Sequence, residues 1–358
     1  MLKIKALLQY ITDIIGNVFT KKQLVLISEG FDWVIHEECL VIKEYLESRK
    51  LVSVRISTTP IGLKNKMVHF LSENTLIGKN GLKHKKGSNH FILSWFHISD
   101  ADQYRTKHIS LLNQGVDFVH TAAQITEDKL VQHGMNSEKI IRIGLDVNLK
   151  LFHPIDSNKK VALLNKLGLP TDKILVGSFQ KDGNGWGEGL EPKLIKGPDI
   201  FCDVIQNIAK DYPIHVVLTG PARGYVKNRL SLAGIPYTHV YLKKYTEVAE
   251  YFQSIDLYLI TSREEGGPKA LLESMATGIP LISTAVGMVP DVIEDGINGF
   301  ITETNNTPLL IQKTRDLLKN KALEKTIVDN ALRKISEYSS EKMVEQFYNK
   351  IYKNFINR

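Results

Sequence analysis

The chain has 358 residues, 43% hydrophobic and 24% charged, with 46 Lys and Arg against 39 Asp and Glu for a formal charge of +7 and a pI near 9.1. That length exceeds one ordinary core and predicts two domains, and two cysteines, Cys39 and Cys202, one in each half, exclude a disulfide framework and fit a reducing cytosol. The basic balance favours anionic partners such as a nucleotide diphosphate or a membrane surface; nucleic acid is disfavoured, since no zinc-finger spacing, RNP-like aromatic motif or basic reading helix is found.

Residues 1–22 precede the first strand. Leu2, Ile4, Leu7, Leu8, Ile11, Ile14, Ile15, Val18 and Phe19 recur at helical spacing with Lys3, Lys5, Gln9, Thr12 and Asp13 between them, which predicts an amphipathic helix. Polar residues interrupt the apolar run and no small-residue cleavage site follows, so it reads neither as a signal peptide nor as a bilayer span. A membrane surface, the helix's own domain and a second subunit are each open as the place where its apolar face rests.

From Leu24 onward, short apolar runs alternate with helical patterns. Strands are predicted at 24–27, 52–57, 67–70, 91–96, 116–121 and 139–143, with a helix at 37–48. Such alternation predicts a parallel sheet covered on both faces. The basic stretch Lys79-Asn-Gly-Leu-Lys-His-Lys-Lys86 reads as a solvated loop, with a lipid-headgroup contact as the other reading. His97 follows the run Phe91-Ile-Leu-Ser-Trp-Phe at the carboxyl end of its strand, where α/β folds bind ligands. Asp100 and Asp102 read as loop or helix-cap carboxylates, and His36-Glu37-Glu38 lacks zinc-motif spacing.

The second half repeats the pattern, with strands at 174–179, 215–219, 240–242, 257–260 and 281–283 and helices at 199–210 and 246–253. Two doubly wound halves follow, with a ligand cleft expected between the carboxyl ends of their strands. Val176-Gly-Ser-Phe-Gln-Lys-Asp-Gly-Asn-Gly-Trp-Gly-Glu-Gly189 fits neither G-x-G-x-x-G nor G-x4-G-K-[ST], which disfavours dinucleotide and P-loop enzymes. A last helix at 340–355 carries Met343, Phe347, Ile351 and Phe355 on one stripe.

The most informative stretch is Ser262-Arg-Glu-Glu-Gly-Gly-Pro-Lys-Ala-Leu-Leu-Glu-Ser-Met-Ala-Thr-Gly278. Pro268 opens a helical pattern that Gly278 and Pro280 close, and Gly266 and Gly267 would let a phosphate approach bare amides at the positive end of that helix. Glu265 in the turn and Glu273 in the helix resemble the E-x7-E motif of retaining glycosyltransferases of family 4, which have the GT-B fold. Val286-Gly287 and Glu294-Asp-Gly-Ile-Asn-Gly-Phe300 extend the match. Gly144-Leu-Asp-Val and Phe152-His-Pro154 resemble that family's interdomain connection N-G-V-D followed by F-x-P, although Ile143 or Gly144 stands where the asparagine is usual.

The resemblance implies an α/β, GT-B architecture: helix 1–22, an acceptor-side Rossmann-like domain at 23–152 onto which 340–358 packs back, and a nucleotide-sugar domain at 153–339. It implies transfer of a sugar from a UDP- or GDP-sugar, with retention and without a metal or other cofactor, to a glycan, lipid-linked or small-molecule acceptor, as in polysaccharide or glycoconjugate biosynthesis. Glu273 would accept ribose hydroxyls; Lys196 and Lys181 with the amides at Gly266, Gly267 and Pro268 would face the pyrophosphate, Lys181 standing where the family has arginine. Glu265 and His97 would position the sugar, Lys269 would add a contact or face solvent, and backbone near 241–244 would read the base. Acceptor contacts are expected near Glu29, Gly30 and Trp33. The expected location is the cytoplasm, with attachment to the inner face of the membrane left open. The competing readings are a non-catalytic sugar-nucleotide-binding protein of the same fold and an epimerase or phosphorylase.

Overall fold

The computed structural model describes residues 2–30, 34–99 and 103–356, so the expectations for Trp33, Asp100 and Asp102 lie outside the described residues. The chain divides into two compact units, one running to Gly144 and resuming at Ser340, the other spanning Leu145–Ser339. Each holds a six-stranded sheet whose neighbouring strands are all parallel.

In the first unit, β1 (Leu24–Ile27), β2 (Val54–Ser57), β3 (Met67–Phe70), β4 (His90–Ser94), β5 (Phe118–Thr121) and β6 (Ile140–Arg142) lie in the order β2-β1-β3-β4-β5-β6. All four residues of β1 are buried. Val25 and Ile27 pack into one core with Val68, Phe70 and Leu93, while Leu24 and Leu26 face another with Cys39, Met67 and Ile92. Alternate side chains thus enter different cores, which is why the strand reads as an unbroken apolar run. The second core is closed by Met343, Val344, Phe347, Ile351 and Tyr352, from a C-terminal segment that is α-helical over Ser340–Phe347 and widens into a π turn over Tyr348–Tyr352. There Tyr352 Oη lies 2.7 Å from His69 Nδ1, His69 Nε2 lies 2.8 Å from Ser94 Oγ, and Ser94 Oγ lies 2.8 Å from His120 Nδ1. This buried polar chain fastens the last helical segment to three strands.

The second unit has β7 (Ile174–Phe179), β8 (Ile214–Thr219), β9 (Tyr237–Val240), β10 (Leu257–Ile260), β11 (Leu281–Thr284) and β12 (Phe300–Thr302), ordered β9-β8-β7-β10-β11-β12. The strand expected at 240–242 instead ends at Val240, and its four residues are all half-buried. It is the edge strand, so apolar content marks it poorly. The sheet's order reverses beside β7, and the loops after β7 and β10 leave the carboxyl edge there. That is the usual ligand position of a doubly wound sheet.

The N-terminal helix Leu2–Val18 forms, and it docks by its polar face. Asp13, 3% exposed, accepts from the amide and hydroxyl of Thr58, each at 2.8 Å. Asn17 Nδ2 donates to the carbonyls of Thr59 and Ile61 at 2.7 and 3.0 Å, and Arg55 Nε donates to Asn17 Oδ1 at 3.0 Å. Leu7, Leu8, Ile11, Ile15, Val18 and Phe19 are exposed.

Candidate functional site

The site of the second unit is built on two loops that hydrogen-bond to each other. After β7 the chain runs through Lys181 and the glycine-rich segment into a 3-10 turn, Leu194–Lys196, and then the helix Pro198–Ile208. After β10, the amides of Arg263 and Glu264 both donate to the carbonyl of Ile195, at 2.8 and 3.2 Å, and Thr261 Oγ1 donates to the carbonyl of Gly197 at 2.8 Å. A Cβ on Gly197 would lie 1.8 Å from the Thr261 carbonyl oxygen, and its φ is +61°. Only glycine allows this approach.

That contact brings Lys196 Nζ to 2.6 Å from Glu265 Oε1, an oxygen that also accepts from Ser262 Oγ at 2.9 Å. Both side chains are largely shielded, Lys196 24% and Glu265 12% exposed. Lys196 and Glu265, expected to face different parts of a donor, therefore meet directly. Behind Glu265, a Cβ on Gly287 would lie 2.6 Å from the Gly266 carbonyl oxygen, and one on Gly267 would lie 2.7 Å from Leu145 Cδ1. The turn is thus packed from both sides.

The helix that follows, Lys269–Ala276, has Pro268 at its N-cap rather than as its first residue. Glu273 lies on its inner face at 5% exposure, so it is no solvated surface carboxylate. It accepts the hydroxyl hydrogen of Tyr245. Burial pushes the Glu273 carboxyl up to about 7, against the lowering effects of Tyr245 and of Lys269 one turn earlier. Lys269 does not simply face solvent: its Nζ is 3.0 Å from Asp146 Oδ1.

Sequence reasoning missed Lys193. The segment after Lys181 folds back on itself, with Gly183 bridged to Pro192 and the amide of Lys193 donating to the carbonyl of Asp182 at 2.7 Å. Burial, then the charges of Lys196 and Lys181, hold the Lys193 ammonium below its ordinary range, with Glu265 opposing them. Lys196 is thus paired with Glu265, and Lys193 lies close enough to feel both of them and Lys181. The fold-back rests on Arg223, which is 1% exposed. Its Nη1 donates to the carbonyls of Ser178, Gln180 and Thr219 at 2.7, 2.6 and 3.0 Å, and its Nη2 lies 3.0 Å from Asp182 Oδ2. The amides of Gly224 and Tyr225 donate to the carbonyls of Glu188 and Gly189. Lys181 itself lies over the ring of Trp186, 3.9 Å from its centroid, a cation–π contact at an exposed site.

In the first unit, His97 stands three residues beyond the end of β4 rather than at it, half-buried, with its carbonyl accepting from Trp95 Nε1 at 2.9 Å. Glu29 leaves the end of β1 and accepts from Ser72 Oγ at 2.6 Å and Asn74 Nδ2 at 3.2 Å. Gly30 adopts φ +78°. Both loops leave the carboxyl edge of that unit's sheet. Among the described residues, no three His, Cys, Asp or Glu side chains gather as metal ligands.

Residues 190–334, which include Lys193, Lys196, Glu265 and Glu273, match the family model of glycosyl transferases group 1. Over that span the chain is similar to group 1 glycosyl transferases. It is similar to an uncharacterized glycosyltransferase of Methanocaldococcus jannaschii, 32% identical over 218 residues, or 58% of each chain. It is also similar to N-acetyl-alpha-D-glucosaminyl L-malate synthase of Bacillus anthracis, 33% identical over 151 residues and 40% of each. These matches span 58% and 40% of the relatives' own lengths, not the whole of either. The crystal structure of Anabaena HepE in complex with UDP and glucose superposes with a TM-score of 0.73 at 16% identity, covering 92% of this chain and 99% of that one. The fold is GT-B, two Rossmann-like domains with parallel sheets.

Proposed function

We propose that the chain is a glycosyltransferase that moves a sugar from a nucleotide-sugar donor to a glycan, lipid-linked or small-molecule acceptor, with retention of anomeric configuration, in polysaccharide or glycoconjugate biosynthesis. The observation that carries this reading is the convergence of Lys196 on Glu265 at 2.6 Å beside a helix start whose own Glu273 is buried at 5% exposure. A leaving nucleoside diphosphate gains negative charge as the glycosidic bond breaks. Lys196 and Lys193, together with the amides at Gly266 and Gly267, supply positive potential in a partly shielded place, where it acts more strongly than in water. Lys181 joins them once it leaves the face of Trp186. These groups neutralise the phosphates as point charges and dipoles, and the reading requires no metal.

Glu273 is suited to a ribose diol. It is a buried acceptor whose present donor, the Tyr245 hydroxyl, can be exchanged for a sugar hydroxyl without leaving the carboxylate bare. Glu265, held by Lys196 and Ser262, would position the transferred sugar, in line with the family resemblance, and His97 has the sugar-contacting role that the resemblance gives it. A UDP donor is favoured because HepE was crystallised with UDP and glucose. Glu29, Gly30 and Trp33 are the acceptor candidates.

The test is calorimetric titration of UDP, GDP and ADP into the full chain and into Lys196→Ala. One nucleotide should bind, and losing a charge-assisted phosphate contact should weaken it by about tenfold or more. Equal binding by both proteins, or no binding of any nucleotide, would refute the reading.

A further inference from the structure

We propose that the N-terminal helix Leu2–Val18 seats the protein on an anionic phospholipid bilayer, with its apolar stripe in the interface and the adjoining lysine-lined hollow against the headgroups. The helix is attached to the first unit by Asp13 and Asn17, which leaves the opposite side uncovered. Leu7 and Leu8 are each 59% exposed, Ile11 46%, Ile15 57%, Val18 58% and Phe19 78%. At 100° per residue these positions fall within one arc of about 120°. An isolated exposed leucine needs no explanation, but a continuous stripe of six does.

Charge selects the occupant. Residues 2–22 contain Lys3, Lys5, Lys21 and Lys22, the last paired with Glu47 at 2.7 Å, and a single carboxylate, Asp13, which is turned inward. Beside the end of the helix lies a hollow of about 450 Å³ whose lining includes Ile61, Gly62, Lys64, Lys83, Lys85 and Ser88. It adjoins the helix directly, because a Cβ on Gly62 would lie 3.0 Å from Val18 Cγ2 and 3.1 Å from the Ile14 carbonyl oxygen. Ile61, 43% exposed, extends the apolar surface to the rim of the hollow. Lys86 is paired with Asp117 and Lys83 donates to the Asn74 carbonyl, while Lys64 and Lys85 are exposed. A second copy of the helix would bring lysines against lysines with no outward carboxylate in this segment to answer them. An anionic headgroup layer above an acyl interior matches both the stripe and the lysines.

No helix among the described residues is long and apolar enough to cross a membrane, so the helix lies on the bilayer. A lipid surface would hold the enzyme where a lipid-linked acceptor resides, although the inference stands on the helix and hollow alone.

The experiment is flotation of the full chain, without any donor, on vesicles of phosphatidylcholine with and without phosphatidylglycerol, alongside sedimentation analysis in free solution. The wild type should float with the anionic vesicles and weaken as salt rises. Ile11→Glu/Ile15→Glu, at exposed positions and with an unchanged melting point, should bind about a hundredfold less tightly. Lys64→Glu/Lys85→Glu should lose the preference for phosphatidylglycerol. Three results would each overturn the proposal: a wild type that stays with the soluble fraction, a double glutamate variant that floats as well as wild type, or a wild-type dimer that this variant dissociates while vesicle binding is absent in both.

Discussion

Replacing Glu273 by glutamine should stabilise the ligand-free protein in alkaline solution while impairing donor binding. The carboxyl is raised from 4.5 to about 7 by burial, so in the unfolded chain it gives up its proton at lower pH than in the native state. Native stability therefore falls as pH rises from 4.5 through about 7. At 1.36 kcal/mol per pKa unit, the cost of holding the charge inside is about 3 kcal/mol above pH 7, of which about 2.5 kcal/mol develops between pH 5 and pH 8. The amide of glutamine keeps an acceptor for the Tyr245 hydroxyl but carries no charge. For a unit of this size about 3 kcal/mol corresponds to a rise in melting midpoint of roughly 5–10 °C. Denaturant unfolding of wild type and Glu273→Gln at half-unit pH steps isolates the effect, because other titrations are common to both proteins. The curves should nearly meet at pH 5 and diverge toward pH 8, with the variant the more stable. A variant less stable than wild type at pH 8, or a difference independent of pH, would refute the argument that burial dominates at Glu273.

Gly197→Ala should lower stability by more than about 3 kcal/mol, since its Cβ would overlap the Thr261 carbonyl at a positive φ; a midpoint close to wild type in urea would contradict this. Tyr352→Phe leaves His69 Nδ1 without the hydroxyl now 2.7 Å away and should cost about 1–3 kcal/mol, measured in the same way. Burial lowers His120 to about 4 against the raising effect of the Ile143 carbonyl. Its contribution is therefore present above pH 6.5 and lost as pH falls through 4, by about 3 kcal/mol; a first unit whose hydrogen-exchange protection is unchanged from pH 7 to pH 4, after correction for intrinsic exchange, would argue against it. Lys193→Ala should weaken binding of the preferred nucleoside diphosphate by about tenfold with little change in melting point, and an unchanged affinity would remove Lys193 from the site.

The architecture could be read from sequence wherever alternate side chains enter two cores. Leu24–Ile27 and Leu257–Ile260 are unbroken apolar runs because both faces of their strands are covered. Tyr237–Val240, at the sheet edge, offers no such signal. The turn from Glu265 to Glu273 was legible because an apolar run, a glycine pair and a helical period follow one another locally. Lys193 was not, because its position depends on the fold-back of residues 182–193, which rests on Arg223 and on close backbone approaches at Gly183, Gly189 and Gly224. Likewise, periodicity found the stripe on the first helix without revealing that Asp13 and Asn17 form the inward face. Hydrophobic pattern locates a face; only tertiary hydrogen bonds say which way it points.

The most direct measurement of the central claim is release of nucleoside diphosphate from a panel of UDP-, GDP- and ADP-sugars by the full chain and by Glu265→Gln. One donor should be consumed by the wild type, with the rate in the variant lower by about a hundredfold or more through loss of a charged positioning group. If no donor is consumed and none raises the melting temperature, or if Glu265→Gln turns over donor as fast as wild type, the assignment of this site to glycosyl transfer is wrong.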